Sequence, residues 1–121
     1  MELTIEEALE RGVAAHKTGN LEEAGRLYKL ILQSAPSHSD ANHNLGIIAV
    51  STNRFEDSLP YLKTALESNP NQGHYWISYI DALIKIGQID NAQKVLDQGK
   101  KIGLKGEAIT LLQCFLNCQF H

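Results

Sequence analysis

The sequence repeats at a spacing of 34 residues, and this periodicity constrains the fold more than any other feature of the chain. Pro36 and Pro70 lie 34 residues apart, and each follows a helical pattern of apolar residues. At the same spacing Gly19, Asn53 and Gly87 align, and these residue types tolerate the left-handed backbone that closes a helix. Each unit therefore reads as a helix, a Gly or Asn stop, a second helix and a proline stop.

The repeat predicts the positions of seven helices in one domain that spans residues 1–121. The units cover about 4–37, 38–71 and 72–105, and a capping helix covers 106–120. In the first unit a capping box of Thr4 and Glu7 starts one helix, which ends at Thr18-Gly19, and the next runs from Asn20 to just before Pro36. The helices of the later units are predicted at about 38–52, 54–69, 72–86 and 88–102.

Small residues recur at fixed positions of the unit. Gly12 and Gly46 align, as do Ala24, Ser58 and Ala92. Since two helices approach closely only where side chains are small, these positions are predicted contact points within each helix pair. Pro60 falls inside the second helix of unit two, where it removes a backbone hydrogen bond and is expected to bend the helix.

The composition excludes several classes of function. The 121 residues carry a net charge of −3, so no basic footprint points to nucleic acid. No apolar run is long enough for a transmembrane helix, and the acidic N-terminus lacks the plan of a signal peptide, which predicts a cytoplasmic protein that does not bind membranes. No phosphate loop, nucleophile elbow or zinc-protease motif occurs, so we expect neither an enzyme nor a cofactor.

The aligned positions resemble the tetratricopeptide repeat family over residues of about 4–104. The second unit carries the match at Asn44-Leu45-Gly46, Ala49, Asn53-Arg54-Phe55, Ser58, Leu62, Ala65 and Pro70. The third carries it at Trp76, Tyr79, Leu83, Gly87, Ala92 and Leu96, with Gly99 in place of the usual late alanine. The chain departs from the family at Arg11, at Ile80, where the usual residue is small, and at Leu104, where it is proline.

A narrower resemblance rests on fewer residues. The Asn44-Leu45-Gly46 segment and the run at 103–108 look like the repeat regions of bacterial proteins that join such repeats to a glycosyltransferase of the O-linked N-acetylglucosamine transferase kind. This resemblance implies a bacterial source, and it implies that the repeats recognise substrate for a catalytic domain elsewhere.

The family resemblance implies an all-α, right-handed superhelix of three helix-turn-helix repeats closed by a capping helix. Its concave wall, built from the first helix of each unit, usually holds an extended or helical peptide. The implied groove residues are Leu9, Val13, His16, Asp40, His43, Asn44, Ile47, Val50, His74, Ile77, Ser78, Asp81 and Ile84.

The implied wall is apolar for a surface, since six of these residues are Leu, Val or Ile. Contiguous exposed apolar residues mark interaction sites, although these side chains can instead pack against neighbouring helices. Some family members clamp a partner's carboxylates with Lys and Arg. The matching positions here hold Leu9, Val13, His74 and Ser78, and Asn44 alone fits, which argues against that mode of binding.

Four polar wall residues are the candidates for a metal site. His43 and His74 are expected to face each other on adjacent helices, with Asp40 and Asp81 nearby. Histidine with carboxylate is a metal-binding combination, but no His pair at helical spacing supports it, so groove polarity is the preferred interpretation and no metal is predicted.

The seventh helix is apolar around most of its circumference, with a narrow polar strip. We expect it to bury a second face, and the interface candidates are Ile109, Leu112, Phe115 and Leu116. A homodimer, a missing downstream domain and a partner protein are the competing explanations, unless the helix packs fully under the last repeat. Cys114 and Cys118 are interpreted as reduced thiols and small core residues.

Three functions follow from these observations. The first is an adaptor that binds a peptide or helix of another protein in the concave groove. The second is the recognition part of a larger enzyme such as a glycosyltransferase. The third is a structural scaffold that self-assembles through the last helix.

Overall fold

The computed structural model describes residues 3–119, and within that range the chain is an all-α solenoid of seven helices. In chain order they are α1 (Ile5–Lys17), α2 (Leu21–Ser34), α3 (Ser39–Ser51), α4 (Phe55–Ser68), α5 (Gly73–Lys85), α6 (Ile89–Lys101) and α7 (Glu107–Gln119). Each lies within one residue of its predicted position, except that the predicted capping helix extended to Phe120, which lies outside the described residues.

The helix stops follow the 34-residue repeat. Gly19, Asn53 and Gly87, which follow α1, α3 and α5, have φ angles of 83°, 63° and 83°. This confirms that the aligned Gly and Asn positions adopt the left-handed conformation. The capping box is also formed, because the Glu7 amide donates to Thr4 Oγ1 and the Thr4 amide donates to Glu7 Oε1, both at 3.1 Å.

Successive helices pack antiparallel in two layers, with α1, α3 and α5 on the inner side and α2, α4 and α6 on the outer side. A methyl group added at Gly12 would lie 2.5 Å from the ring of Tyr28, and one added at Gly46 would lie 2.5 Å from Leu62. Both glycines are buried, and both ring and leucine are fully buried. The predicted close contacts within the first two helix pairs are therefore confirmed.

The family's late alanine and final proline are replaced together in the third unit. A methyl group at Gly99 would lie 2.7 Å from Leu104 and 3.2 Å from Trp76, so Leu104 fills the space that the glycine leaves. Leu104 also packs against the cluster around Trp76. The two departures from the repeat pattern thus compensate for each other in one packing contact.

Two side chains tie the turns that follow α2 and α4. Asn42 is buried and donates to the carbonyls of Pro36 and His38 at 3.0 and 2.9 Å. One repeat later, the Trp76 indole donates to the carbonyl of Pro70 at 2.8 Å. Different residue types at equivalent positions therefore satisfy equivalent loop carbonyls.

The apolar core divides into clusters along the solenoid. Ala24, Tyr28 and Ile31 anchor a cluster shared by α1, α2 and α3. Ile80 and Leu96 anchor another, which α7 joins. Helix α4 runs without interruption through Pro60. No helix among the described residues is long and apolar enough to cross a lipid bilayer.

Candidate peptide-binding wall

None of the predicted groove residues is buried. Asp40 and His74 are exposed, and the other eleven are half-buried, as expected for side chains on a partly covered face of α1, α3 and α5. Three of the six apolar ones, Leu9, Ile77 and Ile84, pack against the core clusters. The other apolar residues, Val13, Ile47 and Val50, belong to none of those clusters.

A set of polar contacts joins the inner faces of α3 and α5. His43 Nε2 and Ser78 Oγ are 2.8 Å apart, and the Tyr75 hydroxyl donates to Asp40 Oδ1. The His74 ring lies edge-on to the rings of His43 and Tyr75, with centroids 5.2 and 4.5 Å apart. We refer to Asp40, His43, His74, Tyr75 and Ser78 as the polar cluster.

The predicted juxtaposition of His43 and His74 is present, and Asp40 reaches the cluster through Tyr75. Asp81 is placed differently from the expectation, because it pairs with Lys85 at 2.8 Å one turn along α5. Within residues 3–119 no group of three His, Cys, Asp or Glu side chains could hold a metal ion. The arrangement is instead a hydrogen-bonded surface between two helices.

Sequence reasoning missed Tyr75. Both cross-helix hydrogen bonds join residues 35 apart, Asp40 to Tyr75 and His43 to Ser78, whereas the repeat spacing is 34. An aligned pair is therefore not a contacting pair, and the signal to look for was a polar residue one position beyond the aligned one.

Burial sets the protonation of the cluster. It lowers the pKa of His43 below its ordinary value, and the neighbouring His74 lowers that pKa further. Burial also raises the pKa of Tyr75, and the hydrogen bond to Asp40 acts in the same direction. At neutral pH the cluster thus contains a neutral His43 imidazole and a protonated Tyr75, and Asp40 is its acidic group.

Asn44, the one position that matched the family's clamp, is half-buried on α3 next to Tyr28. The Tyr28 hydroxyl is buried without a hydrogen-bond partner, and burial raises its pKa. The Asn44 amide therefore lies beside a polar atom in the wall and keeps the donor and acceptor capacity that a peptide backbone requires.

Helix α7 places the interface candidates in different environments. Ile109 and Leu116 are buried in the chain's own core, Leu112 is half-buried, and Phe115 is 45% exposed. A free surface on this helix is therefore built around Phe115 and its neighbour Leu111, which is 62% exposed.

The prediction that the two cysteines are core residues is wrong. Cys114 and Cys118 are both exposed. Each is two residues from the buried Leu116, and a rotation of about 100° per residue turns them to the opposite side of the helix. The broad apolar character of α7 concealed which side faces the core.

The family model for the tetratricopeptide repeat matches this chain over residues 15–77 and again over 53–113. The aspartyl/asparaginyl β-hydroxylases of mouse and human are 28% identical to it over 95 residues, which is 76% of this chain. The chain spans only 13% of the mouse protein and 12% of the human one.

Solved structures share the fold at low sequence identity. The TPR2B domain of yeast Sti1, in a complex with pHsp70, superposes with a TM-score of 0.84 at 20% identity, covering 95% of this chain and 97% of that one. The first TPR of Spaghetti (RPAP3), bound to an HSP90 peptide, gives 0.83 at 14% identity, covering 93% and 90%. MamA of Desulfovibrio magneticus gives 0.83 at 16% identity, covering 96% and 66%.

Proposed function

This chain belongs to the tetratricopeptide repeat family, and we propose that it is a protein-interaction module that holds a peptide or helix of another protein against the inner faces of α1, α3 and α5. The carrying observation is that Val13, Ile47 and Val50 are half-buried on that wall yet lie outside the core clusters. Apolar side chains that the core does not use are available to a partner.

The polar groups of the wall favour a partner with apolar and basic residues. The wall offers the Asp40 carboxylate at the exposed end of the polar cluster, and Glu6 and Glu10 are exposed on α1. Its cation Lys85 is engaged with Asp81. Since opposite charges steer association and like charges oppose it, an acidic tail of the kind named in the Sti1 and Spaghetti complexes fits this wall poorly.

The polar cluster also supplies fixed hydrogen-bonding geometry. His43 is held by Ser78, and Asn44 lies one residue further along α3 with a free amide. Groups that are already ordered lose little entropy when a peptide backbone binds to them. The apolar residues thus give area, Asp40 gives charge preference, and Asn44 and His43 give orientation.

Two labelled synthetic peptides with the same apolar residues, one carrying lysines and the other glutamates, test this proposal by fluorescence anisotropy. We expect the lysine peptide to bind more tightly, with an advantage that shrinks as salt is added. Val50→Lys should weaken that binding about tenfold or more because it places a charge in the apolar stripe. Ser51→Lys, a neighbouring exposed position on α3, is the matched control and should leave it unchanged.

A result in which the glutamate peptide binds better, or in which Val50→Lys and Ser51→Lys act alike, would contradict the proposed wall. Circular dichroism of each variant separates lost binding from lost folding.

A second candidate function is recognition within a larger enzyme. The observation that favours it is the match to two β-hydroxylases of which this chain spans about an eighth. The relatives replace the glycosyltransferase of the narrower sequence resemblance with a different enzyme class. Sequencing of the natural transcript tests this candidate, and a reading frame that stops after His121 would contradict it.

A third candidate is self-association through α7. Leu111 and Phe115 are exposed one turn apart on a helix whose one acidic residue is Glu107 at its start, so pairing with a second copy would bring few like charges together. Light scattering over a wide concentration range tests it. A dimer that Phe115→Glu dissociates is expected, and a monomer at every concentration would remove this candidate.

A further inference from the structure

An open groove of about 980 Å³ lies on the outer side of the solenoid, between α2 and α4. Helix α3 forms its floor with Leu45, Ile48 and Ala49, which are almost fully buried. The groove is lined by different helices from the inner wall, so it is a separate surface.

The repeat itself supplies the comparison that explains why the groove exists. Position 25 is glycine, and the equivalent positions one and two repeats later are Leu59 and Gln93. Leu59 packs against the cluster shared by α5, α6 and α7. Gln93 exchanges hydrogen bonds with Gln113 on α7 at 3.0 and 3.3 Å. A side chain thus reaches the following part of the solenoid in both later repeats, and none does so in the first.

Nothing in the chain itself requires glycine at position 25. A methyl group there would meet no atom within 4 Å, and the residue lies inside α2 without a positive φ angle. Glycine in a helix interior is less stable than alanine, so it carries a cost that the fold does not recover. Its contrast with Gly12 and Gly46, which are held against Tyr28 and Leu62, is direct.

The opposite wall carries a second helix-unfavourable residue. Pro60 is exposed in the interior of α4 and lines the same groove. Because proline has no N–H, the carbonyl of Glu56 lacks the donor that a regular helix would supply four residues later. Glu56 also lines the groove, so this backbone acceptor belongs to the groove wall.

The two walls have opposite charge. Lys29 and Arg26 lie on the α2 side, and Glu56 and Asp57 lie on the α4 side. Arg26 is paired with Glu23 at 2.6 Å, whereas Lys29, Glu56 and Asp57 form no ion pair within the described residues. A segment that fills the groove therefore meets an apolar floor between a cationic and an anionic rim.

We propose that this groove docks an amphipathic α-helix of another protein, with an apolar stripe between one acidic and one basic edge. A helix fits because both walls are helices, whose side-chain ridges accept another helix, and because neither wall has the free edge that a strand needs. The acidic edge lies along Lys29 and the basic edge along Glu56 and Asp57. The missing side chain at position 25 makes room for the apolar stripe.

A fluorescein-labelled synthetic helix of this design is the probe, and anisotropy with the full chain is the measurement. We expect saturable binding, with Gly25→Leu weakening it about tenfold or more because leucine fills the groove as Leu59 fills the next one. That variant should fold, since leucine is a better helix former than glycine. His74→Ala, on the inner wall, should leave the affinity unchanged and so separates this site from the proposed peptide wall.

Charge reversal tests the orientation of the rims. Lys29→Glu should weaken binding of the probe, and a second probe with basic residues on both edges should restore it. A probe with two acidic edges should bind the unaltered chain less well than the first probe, because one edge then faces Glu56 and Asp57.

Absence of saturable binding would overturn the proposal, as would equal binding by the Gly25→Leu variant. A third outcome is a dimer in light scattering that Gly25→Leu dissociates. In that case the occupant is a second copy of this chain, and the proposed partner is wrong.

Discussion

Two helical glycines should respond to alanine with opposite signs, although the substitution is the same. At Gly25 the new methyl group meets no atom within 4 Å. At Gly46 it would lie 2.5 Å from Leu62 Cδ2 and 2.6 Å from Leu62 Cγ, and that leucine is fully buried. The pair isolates packing from helix propensity, because both glycines lie inside helices.

The expected magnitudes follow from these distances. Gly25→Ala gains only helix propensity, which raises the free energy of unfolding by about 1 kcal/mol and the melting temperature by roughly 4 °C. Gly46→Ala gains the same amount but overpacks the α3–α4 contact at a cost of about 2 kcal/mol, so a net loss of about 1 kcal/mol is expected.

Urea denaturation followed by far-ultraviolet circular dichroism measures both variants, with the fluorescence of Trp76, the single tryptophan, as a second probe. Coincidence of the two signals checks that the solenoid unfolds as one unit. Stabilisation by Gly46→Ala, or destabilisation by Gly25→Ala, would refute the assignment of Gly46 to a close helix contact and Gly25 to an open groove.

Three further predictions concern stability. Asn42→Ala should lower the free energy of unfolding by about 2 kcal/mol in denaturant, because it removes both donors that reach the turn at Pro36. Because folding lowers the pKa of His43, the folded state binds fewer protons, so stability should fall as the pH drops below about 6.5 and level off below the lowered pKa; urea midpoints against pH should show a smaller change in His43→Gln. Gly99→Ala and Leu104→Ala should be less damaging together than the sum of each alone, by about 1 kcal/mol in a double-mutant cycle, and strict additivity would contradict their contact.

The helices were predictable because the signals that place them are local and recur. The left-handed stops at Gly19, Asn53 and Gly87 and the capping box at Thr4 each act within a few residues, and the 34-residue spacing allows one unit to check another. The close contact at Gly46 was predictable for the same reason, since a small residue faces its neighbour within a single helix pair.

Contacts between repeats were harder to foresee. The Tyr75–Asp40 and His43–Ser78 hydrogen bonds depend on how far one helix pair is displaced along the next, which the alignment of repeats does not specify. The exposure of Cys118 depended on which side of α7 meets α5 and α6, and an almost uniformly apolar helix carries little information about that.

The groove between α2 and α4 depended on an absence. The repeat alignment drew attention to the small residue that recurs at Ala24 and Ser58, which helix packing explains. Gly25 beside it is small in the first unit alone, and its meaning became visible only when the structure showed what Leu59 contacts at the equivalent position.

The central claim is that the inner faces of α1, α3 and α5 bind a peptide with apolar and basic residues. Backbone amide NMR spectra of the chain during titration with the lysine peptide test it most directly. The account predicts chemical-shift changes centred on Val13, Asn44 and Val50, with saturation at one peptide per chain. Changes confined to the outer groove or to α7, or an unchanged spectrum, would contradict it.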